Sequence, residues 1–447
     1  MRAPIAAALT SLALVAAGCG AARSAPGGDP ALGSDAAQLV PADALAFASV
    51  DVDRSSQQLQ QLDELTRGLP ARAQLLAELR KALAARGLDY ALDVKPALGD
   101  ELDIAVLGLE DGKPDAVALA RPDDEAKLRA LASRFDSGGE HYRVEDVGGW
   151  SVVADSARAF ASVRGAANGR SLGDTAGYVA ATDVLPTDVL ARVYVTGDAV
   201  GLLRAQVPLL ASAGKHVDWV AASVAAEGDA LRVRIAKAPA GTAAGSSLFG
   251  AVPSGAIFAT AFSGERNGAR RLSDHTGGRL LGLKPNELAP LVSGPGVVYL
   301  RAGSTLVPVF GAELRPANPG AAVAAVRKIA ARLQQKSGGA LTLVVRRDGG
   351  RVFVADARAA IDDLRSSGPK LVDDPPFKDA VAAAGGGTSV LYADVQQLLP
   401  FVQLAGGLLG TRVPKALTDN LGHVGTIVAV GRRSGGVSRL DVRITKH

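Results

Sequence analysis

Pro96, Pro114, Arg121 and Pro122 recur as Pro290, Pro308, Arg315 and Pro316, each 194 positions later and with no gap. Further matches follow in the same order. Val153-Ala154-Asp155 returns as Val354-Ala355-Asp356, and Leu172, Asp174 and Tyr178 return as Leu371, Asp373 and Phe377. Tyr194 matches Tyr392, Leu231 to Ile235 matches Leu440 to Ile444, and Val40-Pro41 matches Val252-Pro253. In an Ala- and Gly-rich chain single matches carry little weight. Collinear matches across both halves point to one supersecondary pattern used twice. The expected organisation is a first repeat over 39–239 and a second over 250–447, joined by the small-residue stretch Ala238 to Gly245. The copies differ most after their first strand. Pro41 precedes Pro96 by 55 positions, whereas Pro253 precedes Pro290 by 37.

Within the first repeat, Ala46 to Val52 has the pattern of a strand. A long helix is expected from Ser56 to Arg86, with Leu75, Leu76, Leu79 and Leu83 as its apolar stripe and Gly87 as its stop. Leu102 to Leu109 and Asp115 to Arg121 are strands around Glu110-Asp111-Gly112-Lys113-Pro114, a hairpin signal. Asp123 is placed to cap a helix that turns Leu128 and Leu131 inward. Strands at Trp150 to Ala154, Leu190 to Thr196, Trp219 to Ala225 and Ala230 to Ala236, with a helix from Ser156 to Ala167, complete the unit. Such an order predicts an α+β class. Two similar tandem halves each have a largely antiparallel sheet with helices packed on one face. A doubly wound parallel sheet needs a crossover helix between most strands, and the hairpin argues against it.

The N-terminus reads as an address. Arg2 supplies a positive start, and Ala6 to Ala17 is an apolar run of signal-peptide length, too short to span a bilayer. It ends in Val15-Ala16-Ala17-Gly18-Cys19, which resembles the lipobox read by bacterial lipoprotein signal peptidase. The resemblance implies cleavage before Cys19 and a diacylglyceryl group on its thiol. Residues 1–18 are then a lipoprotein signal peptide and 19–38 a flexible tether of Gly, Ala, Ser, Asp and Pro. The expected localisation is extracytoplasmic, lipid-anchored to the cell membrane. No later segment reads as transmembrane; Leu248 to Phe262, the most apolar, is broken by Gly250, Pro253 and Gly255 and reads as a turn feeding a buried strand.

Composition narrows the function. The chain has 447 residues, 49 basic and 45 acidic, a balance too even for a nucleic-acid surface. A single Cys excludes an internal disulfide framework, a Cys₂ metal site and an iron–sulfur cluster.

Three stretches carry a family resemblance: Asp93-Val94-Lys95-Pro96-Ala97-Leu98-Gly99-Asp100-Glu101, Val40-Pro41-Ala42-Asp43-Ala44 after a lipobox, and Ser171-Leu172-Gly173-Asp174 leading to Tyr178. Together they resemble the bacterial lipoprotein family with the domain of unknown function numbered 3352. The resemblance implies an extracytoplasmic bacterial protein and brings no established activity or site residues. Ala97 departs from an expected aromatic, and Ala289-Pro290-Leu291-Val292-Ser293-Gly294 lacks the Gly-Asp pair in the second copy. The Ala- and Arg-rich composition suggests a GC-rich, actinobacterial-like genome.

The motifs of catalysis do not assemble. Gly245 to Gly250 does not form the Gly-x-Ser-x-Gly of a nucleophile elbow, and Gly214-Lys215 lacks the upstream Gly of a phosphate loop. Asp274-His275 has no nucleophile beside it. Asp123-Asp124-Glu125, Asp362-Asp363 and Asp373-Asp374 read as helix starts or turns, where carboxylates satisfy free N–H groups. Neither a catalytic set, nor a metal site, nor a cofactor is expected, and the chain reads as a non-enzymatic binding or scaffolding lipoprotein. The alternative is a carrier or sensor of an apolar ligand in a groove between sheet and helices or between the halves. Arg266, Arg270, Arg271, Arg279 and Lys284 are candidate contacts to an anionic surface, with a solvated helix face as the plainer reading. The expected partners are the membrane, through lipid on Cys19, and an envelope protein, lipid or cell-wall polymer. Nucleic acid is not among them.

Overall fold

A computed structural model describes residues 31–110, 113–136, 141–203, 217–240, 247–264, 268–274, 282–303, 308–339, 341–408 and 413–447. Cys19, Arg266 and Arg279 lie outside them, as do Asp111-Gly112, Gly214-Lys215 and His275. The chain divides into two compact units. The first runs to Gly241 and includes 435–439; the second comprises 242–434 and 440–447.

In the first unit the strands are β1 (Ala46–Asp51), β2 (Glu101–Glu110), β3 (Lys113–Ala120), β4 (Arg143–Val147), β5 (Trp150–Ala154), β6 (Ala191–Thr196), β7 (Trp219–Glu227) and β8 (Ala230–Ala238). They are ordered β4-β5-β3-β2-β1-β6-β7-β8, with every pair antiparallel. The second unit holds β9 (Ala256–Phe262), β10 (Gly296–Arg301), β11 (Val309–Leu314), β12 (Val344–Asp348), β13 (Arg351–Ala355), β14 (Thr388–Asp394), β15 (Val424–Ser434) and all but the first three residues of β16 (Val437–Lys446). Their order is β12-β13-β11-β10-β9-β14-β15-β16. Taken in chain order, the two lists are the same list.

The helices of the first unit are α1 (Gln57–Thr66), α2 (Pro70–Ala84), α3 (Lys95–Leu98), α4 (Glu125–Ser133), α5 (Ala157–Ala167), α6 (Ala176–Asp183) and α7 (Gly197–Leu203). Those of the second are α8 (Gly268–Asp274), α9 (Pro285–Leu288), α10 (Pro319–Lys336), α11 (Arg358–Arg365), α12 (Pro375–Ala383), α13 (Val395–Leu408) and α14 (Lys415–Leu421). The α+β class and the antiparallel sheet agree with the expectation from sequence. In detail the helices divide between both faces. Trp150, Val152 and Ala154 join the core under α5 and α6, while Val153 packs with Leu128 and Leu131 of α4. Alternate residues of one strand therefore enter different cores, which requires cover on each side.

Other details depart from the sequence reading. The segment 56–86 forms two helices rather than one. Pro70 begins α2 at a position where its missing N–H costs nothing, and no residue of α2 is fully buried, so the leucine stripe is half-covered. Asp124, not Asp123, caps α4 by accepting from the Lys127 N–H at 3.1 Å. Asp362 and Asp363 sit in the last turns of α11, not at a start, and Asp363 pairs with Arg301 at 2.7 Å. The end of the expected tether is also folded: Ala36 and Ala37 are fully buried in the first core. Small side chains let this stretch lie flat on the sheet, which an apolar-residue count does not register.

Two matched places show how alike the units are. Leu172 N–H donates to the Val40 carbonyl at 2.7 Å, and Leu371 N–H to the Val252 carbonyl at 2.9 Å. Tyr178 meets Tyr194 edge-on at 5.4 Å, and Phe377 meets Tyr392 edge-on at 5.3 Å. The second unit also has the close approach made by Gly99. A Cβ at Gly99 would lie 2.0 Å from the Arg121 carbonyl, and one at Gly294 2.0 Å from that of Arg315. The Gly survives; Pro295 replaces the Asp after it.

Candidate functional site

Of the residues proposed from sequence, only Arg270, Arg271 and Lys284 lie among the described residues. Arg270 lies on α8 and Lys284 precedes α9, and both are exposed. Arg271 is in α8. Among the described residues no His, Cys, Asp and Glu group could hold a metal ion, and no helix is long and apolar enough to cross a membrane.

Two unexpected constellations emerge instead, one in each unit. In the first, cross-strand register aligns Asp103 of β2, Ser49 of β1, Arg192 of β6 and Ser223 of β7 in one row. All four are buried. Glu101 and Asp51 form the next pair on the same face of β2 and β1. Burial, then the charge of Glu101, holds the Asp103 carboxyl well above the usual carboxylate range. Burial and a neighbouring carboxylate both favour the protonated form of such a carboxyl. Asp51 is pushed up to about 7, mainly by burial, against the opposing effects of the Ser56 hydroxyl and the Asp53 N–H. Arg192 is lowered by burial and donates to the Pro186 carbonyl at 2.7 Å.

The N-terminal segment closes over this row. Gly33 N–H donates to Glu101, and its carbonyl accepts from the Tyr178 hydroxyl at 3.4 Å. A Cβ on Gly33 would fall 2.1 Å from Ser49 Oγ, and its φ is +80°; only glycine fits. Asp35 pairs with Arg121 at 3.2 Å, while the Arg121 guanidinium lies 4.2 Å over the Trp150 ring.

The second unit has a cavity of about 420 Å³. It is lined by Gly250, Ala251, Glu313, Arg315, Arg351, Leu364, Arg365, Ser366 and Lys370. Glu313 is buried at its floor and accepts from Arg315 Nε at 2.9 Å. Lys370 Nζ donates to the Asp363 carbonyl at 3.0 Å and the Ala251 carbonyl at 3.3 Å, and burial lowers its pKa. Arg365 reaches Asp348 at 3.1 Å and Arg351 the same carboxylate at 3.8 Å. Four cations thus surround one lining carboxylate. An apolar ligand would have to strip water from those charges, so this cavity does not suit the apolar carrier considered from sequence.

Sequence reasoning passed over both constellations, although each left a trace. Asp103 interrupts the apolar run Leu102 to Leu109, and Glu313 stands between Ala312 and Leu314. A charge on the core-facing positions of a strand is the signal that would have found them.

The family model described as Protein of unknown function (DUF3352) matches residues 4–163. It therefore covers the N-terminal apolar run and most of the first unit. No curated protein and no solved structure matches the chain.

Proposed function

We propose that this chain is a lipid-anchored extracytoplasmic bacterial lipoprotein that works by binding or scaffolding an envelope component, without catalysis. The observation that carries the reading is the apolar run Ala6 to Ala17 closing on Ala16-Ala17-Gly18-Cys19. The run is the length of a signal-peptide core, and the small residues fit a lipoprotein peptidase before a thiol that can be acylated. The family match runs from residue 4 to residue 163 and so spans this N-terminal run together with part of the first unit. Two units of like strand order, each with a polar constellation, support a binding role and a tandem duplication as its origin. Cys19→Ser is the test. Metabolic labelling with an alkyne fatty acid marks the wild-type chain and not the variant, which keeps its N-terminal run. Equal labelling of both would refute the anchor.

A further inference from the structure

The first unit shows what the arginine after the third strand can do. Arg121 holds the carboxylate of Asp35, which the chain itself lays beside it. Arg315 stands at the corresponding place after β11, with Gly294 packed on its carbonyl as Gly99 is on that of Arg121. The stretch that corresponds to the N-terminal segment supplies no such group: between Ala238 and Gly264 the sequence contains neither Asp nor Glu. Cations have accumulated there instead. Arg351 occupies the place of Trp150, and Lys370 that of Ser171. Each of the latter two bridges to a proline, Lys370 to Pro253 and Ser171 to Pro41.

We propose that the cavity of the second unit binds a phosphate group. Arg315, Arg351, Arg365 and Lys370 line the cavity with Glu313; Glu313 is engaged by Arg315, and Asp348 by Arg365 and Arg351, so the four cations exceed these two carboxylates by two charges. Two guanidinium forks and an ammonium offer enough donors for the oxygens of one phosphate. Ser366, also in the lining, adds a hydroxyl. The volume of about 420 Å³ admits a phosphate with a small substituent, such as a lipid glycerol headgroup. Glu313, at the floor, is an acceptor for a hydroxyl on that substituent. The site does not depend on the lipid anchor, and Cys19→Ser leaves it intact.

Isothermal titration of the detergent-solubilised full chain tests the proposal, with inorganic phosphate in one arm and short-chain phosphatidylglycerol in the other. Saturable binding is expected with a Kd on the order of 1 mM or tighter at low salt. The tighter arm identifies the source, free phosphate or headgroup. Arg351→Gln with Arg365→Gln should weaken binding at least ~10-fold while thermal unfolding stays near wild type. Both side chains are partly solvent-exposed, at 47% and 33%. If the double variant fails to fold, Arg351→Gln alone carries the same test with a smaller loss. Arg270→Gln with Lys284→Gln should leave binding unchanged. Absence of saturable binding in both arms, wild-type affinity in the pocket variant, or an equal loss in the Arg270/Lys284 variant would overturn the site.

Discussion

The two units carry the same strand order and treat one cross-strand pair in opposite ways. In the first, Asp103 on β2 faces Leu119 on β3; in the second, Val297 on β10 faces Glu313 on β11. A buried acid is kept, but on the other strand. Along the row, Ser49 and Ser223 give way to Ala261 and Val430, all of them buried. The first unit therefore seals a polar row under its own N-terminal segment. The second has an apolar row and places its charges at the rim, around a cavity. A sheet can accept either solution because register fixes which positions are buried, not which chemistry fills them. What differs is the partner: the first acid is pressed beside another carboxyl, while Glu313 has a guanidinium at 2.9 Å.

The sharpest way to break this comparison lies at Trp150 and Arg351, the residues after the two matching turns. Trp150 is 2% exposed and lies under Arg121. Trp150→Ala should cost ~3–5 kcal/mol by lost burial and an unfilled cavity. Arg351→Ala should cost under ~1 kcal/mol, because that side chain is half in water. Urea unfolding of both variants decides it. Similar losses would show that the second cavity is a packed part of the core rather than an open site.

Titration separates the units next. Asp51 is pushed up to about 7 in the folded chain, whereas the corresponding residue of the second unit, Ser263, carries no charge. A carboxyl raised by folding binds its proton more tightly in the native state. Its contribution is full below about pH 4 and is lost as pH rises through about 7. The raised Asp103 acts in the same direction. Asp51→Asn should remove the loss due to Asp51, on the order of 3 kcal/mol, so that the variant gains on wild type between pH 5 and pH 8. Parallel stability–pH curves for the two proteins would remove Asp51 from the account.

How much of this was legible depended on how local each feature is. The strand at Trp150 to Ala154, the helix that follows it to Ala167 and the Gly87 stop follow from neighbours in sequence, and they stand as read. Pro70 was an equally local signal for a second helix, masked by the leucine periodicity on either side of it. β4, an edge strand of mostly polar residues, has no apolar alternation to announce it. The burial of Ala36 and Ala37 depends on a sheet whose strands lie up to about 200 positions away, and composition suggested only a tether. The candidate sites were the least legible. The cavity draws on residues from Gly250 to Lys370, and only the fold brings them together. Asp103 and Glu313 were visible as charges inside strands, but which of them would find a partner depended on register across the sheet.

The smallest expected effect tests why one arginine is closed off and the other is not. Asp35 and Arg121 are each about half exposed, at 47% and 54%, and their oxygen and nitrogen lie 3.2 Å apart. An ion pair so accessible to water contributes under ~1 kcal/mol and weakens with salt. Asp35→Asn should therefore destabilise the first unit by no more than that, because Arg121 keeps its stacking on Trp150 at 4.2 Å. A double-mutant cycle with Arg121→Gln isolates the pair. If the coupling is small and vanishes at high salt, Asp35 acts chiefly by occupying the arginine, and the packing of Ala36 and Ala37 holds the segment down. A coupling of several kcal/mol would mean that the charge pair itself pins the segment. The second unit, lacking an acid there, would then need some other group to order the same edge.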